Sequence, residues 1–135
     1  MATQLGSDPA AVVAEFIGRL ERKDVEGAIA LVGDTCEYDN VPMGKVYGPD
    51  AISALLSPML AACEEVEWVI YRQAATGNVV FNERLDRFKM PFGWLEIPVT
   101  GVFEVSDGKI SLWRDYFDLA TYSNQVAAGA AKEAN

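Results

Sequence analysis

A chain of 135 residues, 50% of them apolar, has the size and composition of one globular domain, large enough to bury a core with an internal pocket. Its 20 acidic and 11 basic side chains leave a net charge of -9, which argues against nucleic-acid and membrane partners because such a surface repels phosphate groups. The chain contains no histidine, which excludes Ser-His-Asp and Cys-His mechanisms and argues against a catalytic zinc, so we expect no metal and no cofactor.

The N-terminal segment predicts an amphipathic helix. Asp8 precedes Pro9, which is the pattern of an N-cap followed by proline at the first helical position. Apolar residues then recur at helical spacing, namely Val12, Phe16 and Leu20, with Val13 and Ile17 beside them. One stripe of this helix is therefore expected to face the core.

Two more helices are predicted in the first half. A short one runs from Val25 to about Val32 and ends at Gly33. The next starts at Gly48-Pro49-Asp50, and Pro58 inside it is expected to bend or break it, because proline lacks the N–H that a helix needs.

The second half predicts antiparallel strands joined by short turns. Strands are expected over 66–72, 79–88, 94–105 and 110–117, followed by a helix over 119–126. Residues 127–135 are expected to fray, which leaves an ordered core of about 8–126 within a single domain, 1–135. Helices first and strands after indicate an α+β fold, in which N-terminal helices pack over a curved antiparallel or mixed sheet that forms a cone around one pocket.

The last predicted strand carries a carboxylate on an aromatic face. Residues two apart in a strand share a face, so Asp115 lies between Trp113 and Phe117. A buried carboxylate is costly unless it is hydrogen-bonded or paired. The alternative is that the face assignment is reversed and Asp115 is solvated.

The second predicted strand shows the same feature. Asn82, Arg84, Asp86 and Phe88 share one face. An R-x-D pair alone more often means a surface ion pair of little energetic value. Because this segment falls in the middle of the predicted sheet, the guanidinium of Arg84 can instead hold two carboxylates, those of Asp86 and Asp115.

A third fragment, residues 37–42, places Tyr38 and Asn40 on the same side if the chain is extended there. The alternative is a tyrosine that plugs the mouth of the cavity, followed by an Asx-type turn before Pro42.

Two aspartates bridged by an arginine suit the opening of an epoxide by water. The ring oxygen must receive a proton, and the attacking water must lose one. Burial and mutual repulsion favour keeping one aspartate protonated, while the arginine stabilises the other as an anion. Tyr38 and Asn40 would then orient the water.

The motifs Y-x-N-x-P, R-x-D and W-R-D-Y-F-D-L, in this order and at these separations, resemble the limonene-1,2-epoxide hydrolase family over residues 9–122. The resemblance implies a cone-shaped fold related to nuclear transport factor 2 and ketosteroid isomerase, and a homodimer. It implies that Asp115 is the general base on water, that Tyr38 and Asn40 hold that water, that Asp86 protonates the epoxide oxygen, and that Arg84 bridges the two aspartates.

The pocket is matched by residue type only. The apolar residues expected to line it are Ile17, Leu20, Met59, Phe88, Ile97, Val99 and Phe117. Trp68 and Pro58 have no place in the family's pattern, so the shape of the pocket stays open. The expected substrate is an apolar epoxide, cyclic or terpenoid-like, which water converts to a vicinal diol.

Two other functions remain open on the sequence. An isomerase or cyclase of the same superfamily would use Asp115 to abstract a carbon-bound proton, although such chemistry has no obvious need for Arg84. A small-molecule-binding module without activity is also compatible with this fold. A cytoplasmic location is expected, since no apolar run approaches the roughly 18 residues of a membrane span.

Overall fold

The computed structural model describes residues 8–134. Its helices and strands follow in the order α1 (Pro9–Glu21), α2 (Val25–Ile29), β1 (Val32–Asn40), β2 (Gly44–Tyr47), α3 (Gly48–Ala61), β3 (Glu65–Thr76), β4 (Val79–Met90), β5 (Gly93–Ser106), β6 (Lys109–Tyr116) and α4 (Leu119–Ala134). The fold is α+β with a curled mixed sheet, as the sequence predicts. Among these residues, no helix is long and apolar enough to cross a membrane.

The six strands form one sheet in the order β2-β1-β6-β5-β4-β3. Neighbouring strands are antiparallel except β1 and β6, which are parallel. Helix α1 packs across β3 to β6, and α3 packs on β1 and β2. The Asp8 side chain caps α1 by accepting the Ala10 N–H at 3.2 Å, as predicted. The apolar stripe of α1 is buried in the core between helix and sheet, which confirms its predicted orientation.

Strands β1 and β2 were not predicted, and the predicted end of the second helix was wrong. Helix α2 ends at Ile29, and Gly33 lies inside β1 instead of closing a helix. The Ile110 N–H donates to the Leu31 carbonyl at 2.8 Å, and Val32 then pairs with Ile110. Pairing with a strand almost 80 residues away overrides the local helical tendency.

Pro58 does not break α3, which continues to Ala61. The proline lies in the last turn, where its missing N–H removes a single hydrogen bond. The buried stripe of Ile52, Leu56 and Leu60 crosses this turn and holds the helix against the core.

The final helix extends past Val126, where the sequence predicts the start of the frayed segment. Helix α4 continues to Ala134, and Asn135 lies outside the described residues. Gly129 packs so closely on the Phe92 ring that a Cβ there would approach ring atoms to 2.5 Å. Lys132 also donates to the Phe92 carbonyl at 3.3 Å. These tertiary contacts position the last two turns of α4, and a sequence of small residues gives no local sign of them.

Candidate active site

Three neighbouring strands position an aspartate–arginine–aspartate bridge. Arg84 and Asp86 project inward from β4, and Asp115 projects inward from β6. The intervening strand β5 passes between them, with Gly101 paired to Asp115 on one side and to Asn82 on the other. A Cβ at Gly101 would collide with Nη1 of Arg84, so the missing side chain makes room for the guanidinium to reach across β5.

The guanidinium of Arg84 binds both carboxylates. Nε donates to Oδ1 of Asp86 at 2.9 Å, and Nη2 donates to Oδ2 of Asp86 at 3.0 Å and to Oδ2 of Asp115 at 3.1 Å. Nη1 donates to Oδ1 of Asn82 at 2.9 Å. The Trp113 indole N–H donates to Oδ1 of Asp115 at 3.0 Å. The pairing of one arginine with two aspartates agrees with the prediction.

All three charged side chains are buried, with exposed fractions of 1% for Arg84, 4% for Asp86 and 3% for Asp115. These values exclude the surface ion pair and the solvated Asp115, which were the alternatives on the sequence. Asp39, also buried, lies instead near Arg114, whose Nε is 3.3 Å from its Oδ2.

Two carboxyl groups share a single positive charge in this buried site. Burial raises the pKa of Asp86 to about 6, against the opposing effect of Arg84 and with a further increase from Asp115. Burial also raises the pKa of Asp115, while hydrogen bonds from Arg84 and Trp113 oppose the increase. The pair therefore holds a proton more readily than two solvated aspartates would, and it titrates as a unit.

Tyr38 and Asn40 lie beside this pair on the extended strand β1, and both line the same cavity. The Tyr38 ring stacks on Trp113 with centroids 3.7 Å apart. Burial, with the nearby Asp115 and Asp86 carboxyls, holds the pKa of Tyr38 well above its usual value, so it remains a phenol that can donate a hydrogen bond. Asn40 pairs with Asp115 in the parallel register, and its Nδ2 lies 3.7 Å from the Met43 sulfur.

A cavity of about 480 Å³ opens onto these groups. Its polar lining includes Tyr38, Asn40, Asp86 and Asp115. Of the apolar residues predicted to line it, five do so: Met59, Phe88, Ile97, Val99 and Phe117. Ile17 and Leu20 lie in the hydrophobic core instead, because the inward face of α1 packs against the sheet rather than against the cavity.

Several lining residues were not predicted. They are Met43, Gly44, Lys45, Val46, Leu55, Leu56, Trp68 and Tyr122. Val66 and Trp68 alternate with Glu65 and Glu67 along β3. This alternation is the sequence signal for an inward Trp68, although it does not identify the neighbouring Asp86. Leu55 and Tyr122 are brought to the cavity by α3 and α4, whose placement no local pattern specifies.

Within residues 8–134, no group of three His, Cys, Asp or Glu side chains is arranged to hold a metal ion. Cys36 and Cys63 are both buried, and burial raises the pKa of the Cys36 thiol to about 12.

Comparison with known proteins gives concordant results. Residues 7–127 match the family model of the limonene-1,2-epoxide hydrolase catalytic domain. The chain is 36% identical over 107 residues to the epoxide hydrolase EphG of Mycobacterium tuberculosis H37Rv. The matched stretch covers 79% of this chain and 71% of the relative.

Solved structures extend the likeness to the fold. A limonene-epoxide-hydrolase-like epoxide hydrolase from M. tuberculosis superposes with a TM-score of 0.80 at 32% identity, over 91% of this chain and 92% of that one. A hypothetical protein with a ketosteroid isomerase-like fold, from Catenulispora acidiphila, superposes with a TM-score of 0.76 at 17% identity, over 84% of this chain and 90% of that one. The second likeness concerns the fold alone.

Proposed function

The chain belongs to the limonene-1,2-epoxide hydrolase family and is an epoxide hydrolase, and from this premise we propose that it adds water to an apolar epoxide in one step, without a cofactor. The observation that carries the proposal is the buried Asp86–Arg84–Asp115 bridge, whose two carboxyls both face the cavity.

The proposed reaction moves two protons. Asp115, as a carboxylate, removes a proton from a water held by Tyr38 and Asn40 while the water oxygen bonds to an epoxide carbon. The C–O bond of the ring breaks, and its oxygen takes the proton of the Asp86 carboxylic acid. The product is a vicinal diol. Asp115 is left protonated and Asp86 ionised, and exchange of one proton with solvent restores the starting state.

Arg84 supports both roles without changing its own charge. Burial lowers the pKa of Arg84, but the two carboxyls raise it by more, so the guanidinium stays protonated. Its Nη2 donates to both Asp86 and Asp115, so it can bind whichever of them is ionised. Enolate chemistry, the alternative from the sequence, has no comparable use for this bridge.

The chemistry of the cavity supports an apolar substrate. Apart from the proposed catalytic groups, its walls are formed mainly by Leu, Met, Val, Ile, Phe and Trp side chains. A substrate with a hydrocarbon body, cyclic or terpenoid-like, would bury its apolar surface there and leave the epoxide at the polar end.

The decisive experiment incubates the purified protein with a panel of apolar cyclic epoxides, with no added cofactor or metal, and measures diol formation. We expect turnover above the buffer rate that a metal chelator does not reduce. Asp115→Asn and Asp86→Asn should each retain less than a tenth of the rate, which corresponds to about 1.4 kcal/mol of transition-state stabilisation or more. Asp107→Asn, the same change on an exposed turn, is the matched control.

Retention of more than about a tenth of the rate in either active-site variant would refute the proposed roles. Loss of activity with chelator that zinc or magnesium restores would refute a cofactor-free mechanism.

A direct attack by water makes a further prediction. A covalent ester on an aspartate would need a second group to activate the water that cleaves it, and the chain has no histidine for this task. In a single turnover with enzyme in excess in heavy-oxygen water, we expect the label in nearly all of the diol. Unlabelled diol, with label in the peptide that carries Asp115 or Asp86, would demonstrate a covalent step instead.

A further inference from the structure

Helix α1 ends next to the acid–base pair, at the open edge of the sheet. Among residues 8–134, strand β3 is an edge strand, paired only with β4. Its Trp68 N–H donates to Oε2 of Glu21, the last residue of α1, at 2.9 Å. Glu21 thus satisfies a backbone group that an edge strand would otherwise leave unpaired.

The residue that Glu21 binds lies directly opposite Asp86. Trp68 and Asp86 are partners in the register of β3 and β4. The guanidinium carbon of Arg84 lies over the Trp68 ring, 4.8 Å from the centroid of that ring. Trp68 also lines the cavity. Its buried indole N–H has no hydrogen-bond partner among residues 8–134. Trp68 is therefore held through its backbone N–H, by Glu21, and not through its indole N–H.

The charged and titratable groups around Asp86 come from four elements. Arg84 lies on the same strand, Asp115 on β6, Tyr38 on β1 and Glu21 on α1. The partners of Asp86 on β3 and β5, Trp68 and Ile97, are uncharged. Glu21 therefore adds a second negative charge to the surroundings of Asp86, and it lies outside the bridge that Arg84 neutralises.

We propose that Glu21 is a positioning residue, which fixes Trp68 against the Arg84 bridge and adds to the surroundings that favour the protonated form of Asp86. The proposal rests on the role of Asp86 as the acid in the proposed function. Its electrostatic part is independent of any substrate, because a nearby negative charge disfavours ionisation of a carboxyl whatever the carboxyl does.

The direction of the effect follows from the charges. Burial is the main cause that raises the pKa of Asp86 to about 6, and the carboxylates of Asp115 and Glu21 raise it further against Arg84. Removing the Glu21 charge must therefore lower the pKa of Asp86, so that the acid loses its proton at a lower pH.

The test is Glu21→Gln, which removes the charge and retains an oxygen that can accept the Trp68 N–H. The titration of the Asp86 carboxyl is followed by carbon-13 NMR in the protein without substrate, with the signal assigned through Asp86→Asn. We expect its midpoint to move to lower pH in Glu21→Gln, with little change in Tm. The high-pH limb of kcat/KM for epoxide hydrolysis should move in the same direction.

The matched control is Glu104→Gln, the same change in charge on β5. Glu104 pairs with Val79, seven residues along β4 from Asp86, or roughly 23 Å at strand spacing. The Asp86 midpoint should stay at its wild-type value there. Glu21→Asp, which keeps the charge, should also leave the midpoint closer to wild type than Glu21→Gln does.

A wild-type Asp86 midpoint in Glu21→Gln would overturn the proposal and reduce Glu21 to a cap on the edge of β3. Glu21→Ala, which removes the charge and the acceptor together, must shift the midpoint in the same direction as Glu21→Gln. Absence of epoxide turnover together with a shifted midpoint would refute the proposed function and leave the effect of Glu21 on Asp86 intact.

Discussion

Arg84 is a fully buried cation, and its surroundings explain why the fold tolerates it. Removing a guanidinium from water costs several kcal/mol unless charged and polar partners replace the lost hydration. Asp86, Asp115 and Asn82 accept hydrogen bonds from its Nε, Nη1 and Nη2. Removing Arg84 alone would leave two carboxyls without a counter-charge, so its role in stability and its proposed role in catalysis are inseparable.

The titration of the two aspartates predicts the pH dependence of the enzyme. The proposed reaction needs Asp86 protonated and Asp115 ionised, that is, one proton on the pair. Because the pKa of Asp86 is raised to about 6, kcat/KM should fall as the pH rises above that region. It should also fall at low pH, where Asp115 becomes protonated, and the raised pKa of Asp115 moves this limb above the range of a solvated aspartate.

The measurement is kcat/KM for one epoxide from about pH 4 to pH 9. A rate that keeps increasing through the alkaline half of this range would contradict an aspartic acid as the proton donor.

At the scale of elements, β5 makes the site possible because it has no side chain at the position where Arg84 crosses it. Gly101 is the residue over which Arg84 reaches from β4 to Asp115 on β6. A Cβ there would meet Nη1 of Arg84, and would lie 2.9 Å from Oδ1 of Asn82 and 3.0 Å from Oδ1 of Asp115. These atoms belong to the buried hydrogen-bond network around Arg84.

Gly101→Ala should therefore disrupt the bridge. We expect kcat/KM to fall at least tenfold, and the overpacking to cost about 1–3 kcal/mol of stability. The matched control is Gly18→Ala in α1, where the added Cβ would meet its nearest neighbour, Nη1 of Arg22, at 3.4 Å. That variant should keep full activity and a stability equal to or above wild type, since alanine favours a helix. Unchanged kinetics in Gly101→Ala would mean that the bridge does not need its present geometry.

Helix α4 contributes to the cavity through its attachment to β5. Strand β6 pairs with β5 only from Thr100 onward, which leaves the backbone of Glu96 free on that side. The Gln125 amide accepts the Glu96 N–H at 2.9 Å and donates to the Glu96 carbonyl at 2.8 Å, as a neighbouring strand would. This pairing holds α4 in place and positions Tyr122 in the wall of the cavity.

At the scale of the whole molecule, the outer face of the sheet carries large apolar side chains. Phe81 on β4 and Tyr116 on β6 are exposed there, opposite to the face that carries the acid–base pair. Exposed apolar side chains of this size are candidates for an interface between proteins. We predict that they are covered in the homodimer that the family resemblance implies.

We predict that light scattering after size exclusion gives about twice the 14.7 kDa of one chain. Phe81→Glu, which places a charge on the outer face, should lower the apparent mass toward that of one chain. Glu83→Gln, on the same face and strand, is a control that removes a charge and should leave the mass at the dimer value. A wild-type mass of one chain at all concentrations would exclude the homodimer.

The sequence by itself determined the elements and faces that depend on local patterns. Helix α1 follows from its cap and its 3.6-residue stripe, and the antiparallel strands β3 to β6 follow from alternation and turns. The same alternation predicted that Arg84 and Asp86 share a face and that Asp115 lies between Trp113 and Phe117, but it left open whether those faces point inward. With the family motifs, this was sufficient to predict the bridge.

Only the tertiary structure decided what depends on contacts between distant segments. The parallel pairing of β1 with β6 ended α2 early, and packing carried α3 through Pro58 and α4 to Ala134. It also assigned Ile17 and Leu20 to the core and Leu55 and Trp68 to the cavity. An apolar side chain has the same local pattern whether it fills a core or lines a cavity, since the difference lies in how completely the opposite element covers it.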